Sequence, residues 1–332
     1  MRIIIWILGA ATALWCIYWA VAAGFIERGA EGWLADRRAE GWQAEAASIN
    51  TSGFPYRLDT ELVDLALADP GTGVLWQMPR LDIRALAYAP NHVIAIFPDS
   101  QTLASPFDTL TLESGDMRAS LRVEGTRVAL SETTAEMTDV TAKSTQGWEV
   151  TLEEGLMAMR ADQETANAYD IFFTARNLRP SDALRLGLDP QGRLPDTFET
   201  LEFDASAQFD APWDRFAIER TRPQPVRISL KSFDATWGQL ELRAVGDLDI
   251  DGEGTPEGRI TVKATNWREI IRIGQALGTI PEAMVPTITR ALEVLASLSG
   301  PPNTIDVPLS FQRGFVSLGP LPLGPAPKLR LR

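Results

Sequence analysis

Leu201-Glu202-Phe203-Asp204-Ala205-Ser206-Ala207-Gln208-Phe209-Asp210 alternates apolar and polar residues without a slip. A period of two places successive side chains on opposite faces of an extended chain, so this stretch reads as a strand with one dry and one wet face. The pattern recurs. Leu240, Leu242 and Ala244, then Leu248 and Ile250, alternate with charged neighbours, as do Ile260, Val262 and Ala264, and Ile171, Phe173 and Ala175. Further strands are expected at 57–68, 80–88, 92–97, 109–114, 117–124, 127–131, 136–142, 147–152, 306–312 and 315–318. Short strands separated by Gly and Asp turns imply a mainly β, α+β fold built of curved, largely antiparallel sheets.

Helical spacing is confined to a few segments. Residues 180–187 open with Pro180-Ser181-Asp182. Residues 267–277 place Ile270, Ile271, Ile273, Ala276 and Leu277 on one stripe, and residues 286–298 place Ile288, Leu292, Leu295 and Leu298 on another, stopped by Gly300-Pro301. Both stripes are expected to dock on a sheet. Ala175-Arg176-Asn177-Leu178-Arg179 and Ala264-Thr265-Asn266-Trp267-Arg268 each end an alternating strand and enter a helix, which suggests two similar β-then-helix units. The exported part would divide into halves near 50–190 and 191–332. The Pro-rich tail 318–327 suits an extended segment over a sheet edge or across an open face.

Ile3 to Ala23 carries no charge, and at 1.5 Å per residue it spans about 30 Å, the thickness of a bilayer core. Arg2 precedes it, and Trp6, Trp15, Tyr18 and Trp19 lie toward its ends. That asymmetry puts the short end in the cytoplasm and the bulk of the chain across the membrane. A cleaved signal peptide is the competing reading, with Ala20-Val21-Ala22 as a small-x-small site. The apolar run is longer than a usual signal core, and Trp19 crowds the cut. Cys16 reads as an apolar residue within the span. Residues 27–49, rich in Ala, Glu and Arg, read as a linker helix interrupted at Gly32 and Gly41. These features suggest a single-pass inner-membrane protein with its bulk in the periplasm.

Composition removes several function classes. The chain of 332 residues has a formal net charge of −13, which opposes nucleic-acid binding. One Cys and one His leave no disulfide, Cys-rich metal site or multi-His cage. His92 reads as a turn or strand-edge residue, because no Gly-x-Ser-x-Gly elbow accompanies it. Asp247-x-Asp249-x-Asp251-Gly252 matches the start of a calcium loop, but position twelve is Gly258 where a bidentate Glu is needed. It reads as a solvated strand entering an acidic turn. No catalytic residue, cofactor or metal is expected.

Three motifs carry a resemblance. They are Gly53-Phe54-Pro55-Tyr56-Arg57, Trp76 to Pro79 leading to Tyr88-Ala89-Pro90, and Gly314-Phe315-Val316-Ser317-Leu318-Gly319-Pro320-Leu321-Pro322-Leu323-Gly324. Together they resemble the bacterial domain of unknown function 2125 family, over nearly the whole chain. More distantly, Trp237-Gly238-Gln239-Leu240-Glu241-Leu242 and the strands up to residue 267 are similar to units of AsmA-type envelope proteins. That likeness implies an inner-membrane anchor, elongated β-sheets and a role in phospholipid transport or outer-membrane homeostasis.

The expected function is non-enzymatic: an apolar β groove that binds phospholipid or a lipidated envelope partner. Phe203, Phe209, Leu240, Leu242, Ile260 and Val262 are the candidate lipid contacts, with helices closing the sheet ends and a central strip open. The alternatives are a scaffold whose sheet faces are filled and an envelope hydrolase with two close carboxylates in a polar cleft. Phe54 is expected to anchor in the core and start the first sheet.

Overall fold

A computed structural model describes residues 2–219, 222–278, 280, 282–299, 301–318 and 321–331. Strands account for 52% of the chain and helices for 23%, so the β-rich class read from the alternation is the class observed. The chain forms two compact units, residues 1–123 with 135–147, and residues 124–134 with 148–332. The division lies near residue 147 rather than near 190. The chain passes between the units three times, at 123/124, 134/135 and 147/148, and the second passage falls within the strand Ala129–Ser144.

Unit 1 opens with α1 (Arg2–Ala39), which is unbroken at Gly32. It stops at Gly41, where φ is 91°. There the Gly41 amide donates to Arg38 and the Trp42 amide to Arg37, a paired closure that a left-handed glycine permits. The helix expected over 27–49 therefore ends ten residues early. Beyond it lie β1 (Gln43–Glu45) and β2 (Ser48–Ser52), both paired with β3 (Arg57–Asp69). The Ala-rich composition of this segment favours helix, but pairing with β3 overrides that weak local preference.

From β3 the sheet passes to β4 (Val74–Leu86), which pairs with β5 (Ala89–Ile96) at one end and β6 (Ser100–Ala104) at the other. Then β7 (Thr109–Glu113) pairs with β6, and β8 (Asp116–Glu124) pairs with β5. The later half of β9 (Ala129–Ser144) pairs with β7.

The helix covers this sheet. Trp15, Trp19, Ala22, Ala23 and Ile26, at helical spacing, pack on Leu58, Ala85 and Ala87. Two turns further on, Leu34 joins Ala44, Leu62, Leu65 and Met78. The opposite face is ionic, with Arg80 bridging Glu61 and Asp82 at 3.0 and 2.7 Å.

Unit 2 is a meander in chain order. The strands are β10 (Glu149–Ala161), β11 (Ala168–Leu178), β12 (Phe198–Phe209), β13 (Pro225–Trp237), β14 (Leu240–Ile250), β15 (Pro256–Thr265), β16 (Thr304–Gln312), β17 (Phe315–Leu318) and β18 (Leu321–Pro325). Each is antiparallel to the next. Helices interrupt the meander: α2 (Asp182–Leu188), α3 (Arg215–Glu219), α4 (Trp267–Ala276) and α5 (Val285–Ser299).

The Pro-rich tail supplies β18, paired on one side with β17, where a missing amide is tolerated. Gly319 and Pro320 of that motif, Gly300 of the helix stop, and the side chain of Leu298 lie outside the described residues.

The two β-then-helix joints share a backbone device. Asn177 and Asn266 both adopt a left-handed conformation, with φ of 50° and 57°. Asn tolerates that region better than most residues. Each side chain then bonds a neighbouring part of the sheet, Asn177 the Glu153 carboxylate of β10 and Asn266 the Gln239 carbonyl in the β13–β14 turn.

Candidate functional site

The register of unit 2 sorts its side chains into two faces. Phe173, Phe203, Phe233, Ala244, Val262 and Val307 lie in one row across six strands. The row beside it holds Ala175, Leu201, Ala235, Leu242, Ala264 and Ile305. On the other face, Glu202, Asp234, Arg243, Lys263 and Asp306 line up. One bulge in β13 between Leu230 and Phe233, which shifts the register against both β12 and β14, keeps Leu230 and Phe233 on the same side.

Both ends of the apolar face are covered. At one end, Trp267 and Ile271 of α4 and Ile288, Leu292 and Ala296 of α5 pack with Ala264, Ile305 and Val307. Trp267 is fully buried, and its indole donates to the Pro302 carbonyl at 3.3 Å. Arg268 and Glu293, 3.0 Å apart, tie the two helices on their outer side.

At the opposite end, Tyr169, Phe209 and Trp213 pack edge to face, with ring centroids 5.9 and 5.6 Å apart. The Trp213 amide donates to the Tyr169 hydroxyl at 3.0 Å. Burial pushes the Tyr169 phenol up.

Between these ends is a strip with thinner cover. Phe203, Leu230, Phe233, Ile260 and Val262 are half-buried. Phe173 and Met157, paired across β10 and β11, remain 39% and 48% exposed. Of the six sequence-predicted contacts, Phe203, Ile260 and Val262 fall in this strip. Leu242 packs beneath the helices, Leu240 is buried with Leu194 and Trp237, and Phe209 belongs to the aromatic end.

The first motif lies elsewhere than expected. Phe54 is 53% exposed and Tyr56 66% exposed, so Phe54 is no core anchor. Leu58, three residues beyond Pro55, takes that role at 1% exposure. What the motif offers the rest of unit 1 is its backbone. The Trp15 indole donates to the Pro55 carbonyl at 3.0 Å and the Trp19 indole to that of Arg57 at 2.7 Å. The Tyr18 hydroxyl donates to Ala87 at 2.7 Å. The Phe54 ring packs on Trp19 in a T-shaped pair, at a centroid distance of 5.5 Å.

Three clusters and one turn bring titratable side chains together among the described residues. His92 Nε2 lies 2.8 Å from Ser120 Oγ, an arrangement absent from the sequence reading because Ser120 pairs through the register of β5 and β8. The group 3.5 Å from Nδ1 is the Arg122 guanidinium, where a serine nucleophile would require a carboxylate to support an imidazolium.

A cleft of about 410 Å³ is lined by Asp189, Arg193, Glu269 and Arg272 among others. Burial is the largest influence raising the Glu269 carboxyl, with Arg193 opposing it. Arg272 pairs with Glu269 at 2.7 Å, and Asp189 accepts from the Leu194 amide at 2.7 Å.

On the polar face, Lys231 bridges Asp170 at 2.6 Å and Asp204 at 3.7 Å. The hydrogen bond from Lys231, then that from Ser206, holds the Asp170 carboxyl below the usual range, opposite to the shift a general acid requires. Asp251 accepts from the amides of Glu253 and Thr255, so the first half of the apparent calcium loop is a closed turn.

A bacterial family, described as "Uncharacterized protein conserved in bacteria (DUF2125)", matches residues 19–327. No curated protein and no solved structure matches the chain.

Proposed function

The chain belongs to this bacterial family, and from that premise we propose that it is an uncleaved, single-pass envelope protein whose second sheet holds an acyl chain of a phospholipid or lipidated partner. α1 is long and apolar enough to cross a membrane. Its middle turns support retention after export, since Ala23 belongs to the core of unit 1 and Trp15 and Trp19 pack against it. Cutting after Ala22 would strip three aromatic donors from the carbonyls of Pro55, Arg57 and Ala87. The positive-inside asymmetry supports a periplasmic location for both units.

The observation that carries the lipid reading is the half-covered row Phe173–Phe203–Phe233, flanked by two fully packed ends. An apolar face has to be covered by another layer or by a ligand. The Trp-Gly-x-Leu-x-Leu hairpin at 237–242, similar to AsmA-type units, agrees with this reading. The protein acts without catalysis here, by sequestering apolar groups.

Native mass spectrometry of the full chain from mild detergent tests the proposal. Bound phospholipid is expected in the parent and is lost in Phe203→Glu, with the β signal in circular dichroism retained. A parent that carries no lipid, with Phe203→Glu unfolding, would leave a scaffold with a filled face.

A further inference from the structure

The turn 53–57 and the β4–β5 turn around Ala87 lie side by side, joined by the Ala87 amide donating to Tyr56 at 2.8 Å. They present Phe54, Tyr56, Leu86 and Tyr88 outward, with 53%, 66%, 39% and 67% exposure. We infer that this tip of unit 1 is a membrane-seated element, resting in the boundary between headgroups and acyl chains of the leaflet it faces. The inference rests on the anchor reading above and goes beyond it, because an anchor alone leaves the domain free of the bilayer.

The depth argument is geometric. Helix contacts with the tip begin at Trp15. The part of the uncharged span before it, Ile3 to Leu14, measures only about 18 Å at 1.5 Å per residue. A bilayer core needs about 30 Å. If the whole uncharged span to Ala23 occupies the core, the residues holding the tip lie within its outer part. The tip is then brought to lipid depth by the same hydrogen bonds that hold it to the helix.

The chemistry of the tip fits that position. Backbone carbonyls facing hydrocarbon must be satisfied inside the protein. Those of Pro55, Arg57 and Ala87 each receive an aromatic donor from α1. Exposed Phe and Tyr side chains are the residues enriched at membrane interfaces, with an apolar body and, in Tyr, a polar end. Arg57, 59% exposed and 3.0 Å from Asp59, is placed where a phosphate headgroup could exchange for its present partner.

The test uses the full chain in phosphatidylethanolamine–phosphatidylglycerol vesicles. Nitroxide labels are attached singly through Leu8→Cys, Phe54→Cys, Tyr56→Cys, Tyr88→Cys and Phe107→Cys in a Cys16→Ser background. Phe107 is the aqueous control. It is 86% exposed and follows Pro106, which abuts Gly73 in the β3–β4 turn, at the other end of that hairpin. Collisions with oxygen report lipid, and collisions with a nickel chelate report water.

The expected result is loss of nickel access with gain of oxygen access at 54, 56 and 88 relative to 107, and full lipid exposure at 8. Tip labels as wet as 107, with 8 in lipid, would overturn the inference and leave the anchor. Tip labels shielded from both reagents would mark a protein contact and also overturn it. Water at position 8 would remove both readings.

Discussion

The two units solve the same problem with covers of different origin. Unit 1 covers its apolar face with one helix that begins as a candidate membrane span and runs on without a break. Unit 2 covers its face with short helices inserted between its own strands. A single long helix gives continuous cover, but it makes the core depend on the candidate membrane segment. Local insertions make the core independent of that segment and cover only what they reach, which leaves the strip at Phe173 and Phe203.

The comparison is most exposed to failure at Trp267, which is fully buried where the inserted helices meet the sheet. Trp267→Ala should destabilise unit 2 by about 3–5 kcal/mol. Hydrogen exchange should then accelerate through β14–β16 and stay unchanged in β3 and β4. Acceleration in both units would show that their covers are not separate.

The same experiment on the other cover uses Leu58, which lies beneath α1. Leu58→Ala should cost about 2–4 kcal/mol and loosen β3 and β4. A change near zero would mean that the helix merely lies near the sheet.

Substitutions in the thinly covered places should be mild. Phe54→Ala is expected to cost about 1 kcal/mol or less, since half the side chain is already exposed. A chemical-denaturation loss of 3 kcal/mol, about the size of a core truncation, would return the motif to the interior. Phe173→Glu should stay within about 1 kcal/mol, because a carboxylate there can reach water. Unfolding by this change would mean that the strip is closed.

The smallest effect concerns the ionic face of unit 2. Asp170 is 40% exposed beside Lys231, so solvent screening limits the pair to roughly 0–1 kcal/mol. Its folded carboxyl pKa is lowered, so the contribution is present above the unfolded value, about 3.9, and is lost as pH falls through the folded one. Asp170→Asn should therefore lower stability by a similar small amount between pH 5 and 8, and the deficit should shrink as pH falls below the unfolded value. Thermal melts across that range check both limbs.

Legibility in the sequence followed the regularity of each element. β14 and β15 alternate without a slip and were readable to within a few residues. β13 was missed because its apolar positions run Ile228, Leu230, then Phe233 and Ala235, a phase slip that the bulge between Leu230 and Phe233 creates. That strand supplies two members of the strip, so part of the candidate site was lost with it. A search for alternation that permits one three-residue step would have found it. β1 and the start of β2 were hidden by the helix-favouring alanines Ala44, Ala46 and Ala47, and pairing to β3 makes both segments strands. The aromatic donors of α1 were read as membrane belts. Nothing in a single sequence reports that Trp15, Tyr18 and Trp19 end on particular carbonyls across the fold.

The paired closure at Gly41 and the docked stripe of α1 have a mechanical consequence. Had residues 27–49 been a slack leash, its root-mean-square reach would be about 24–29 Å in any direction. The first sheet would then wander over the membrane. A helix packed from Trp15 to Leu34 is a post instead. On the anchor reading proposed above, such a post would hold unit 1 at one standoff height from the bilayer, and whatever that unit meets would come to it by diffusion within the plane.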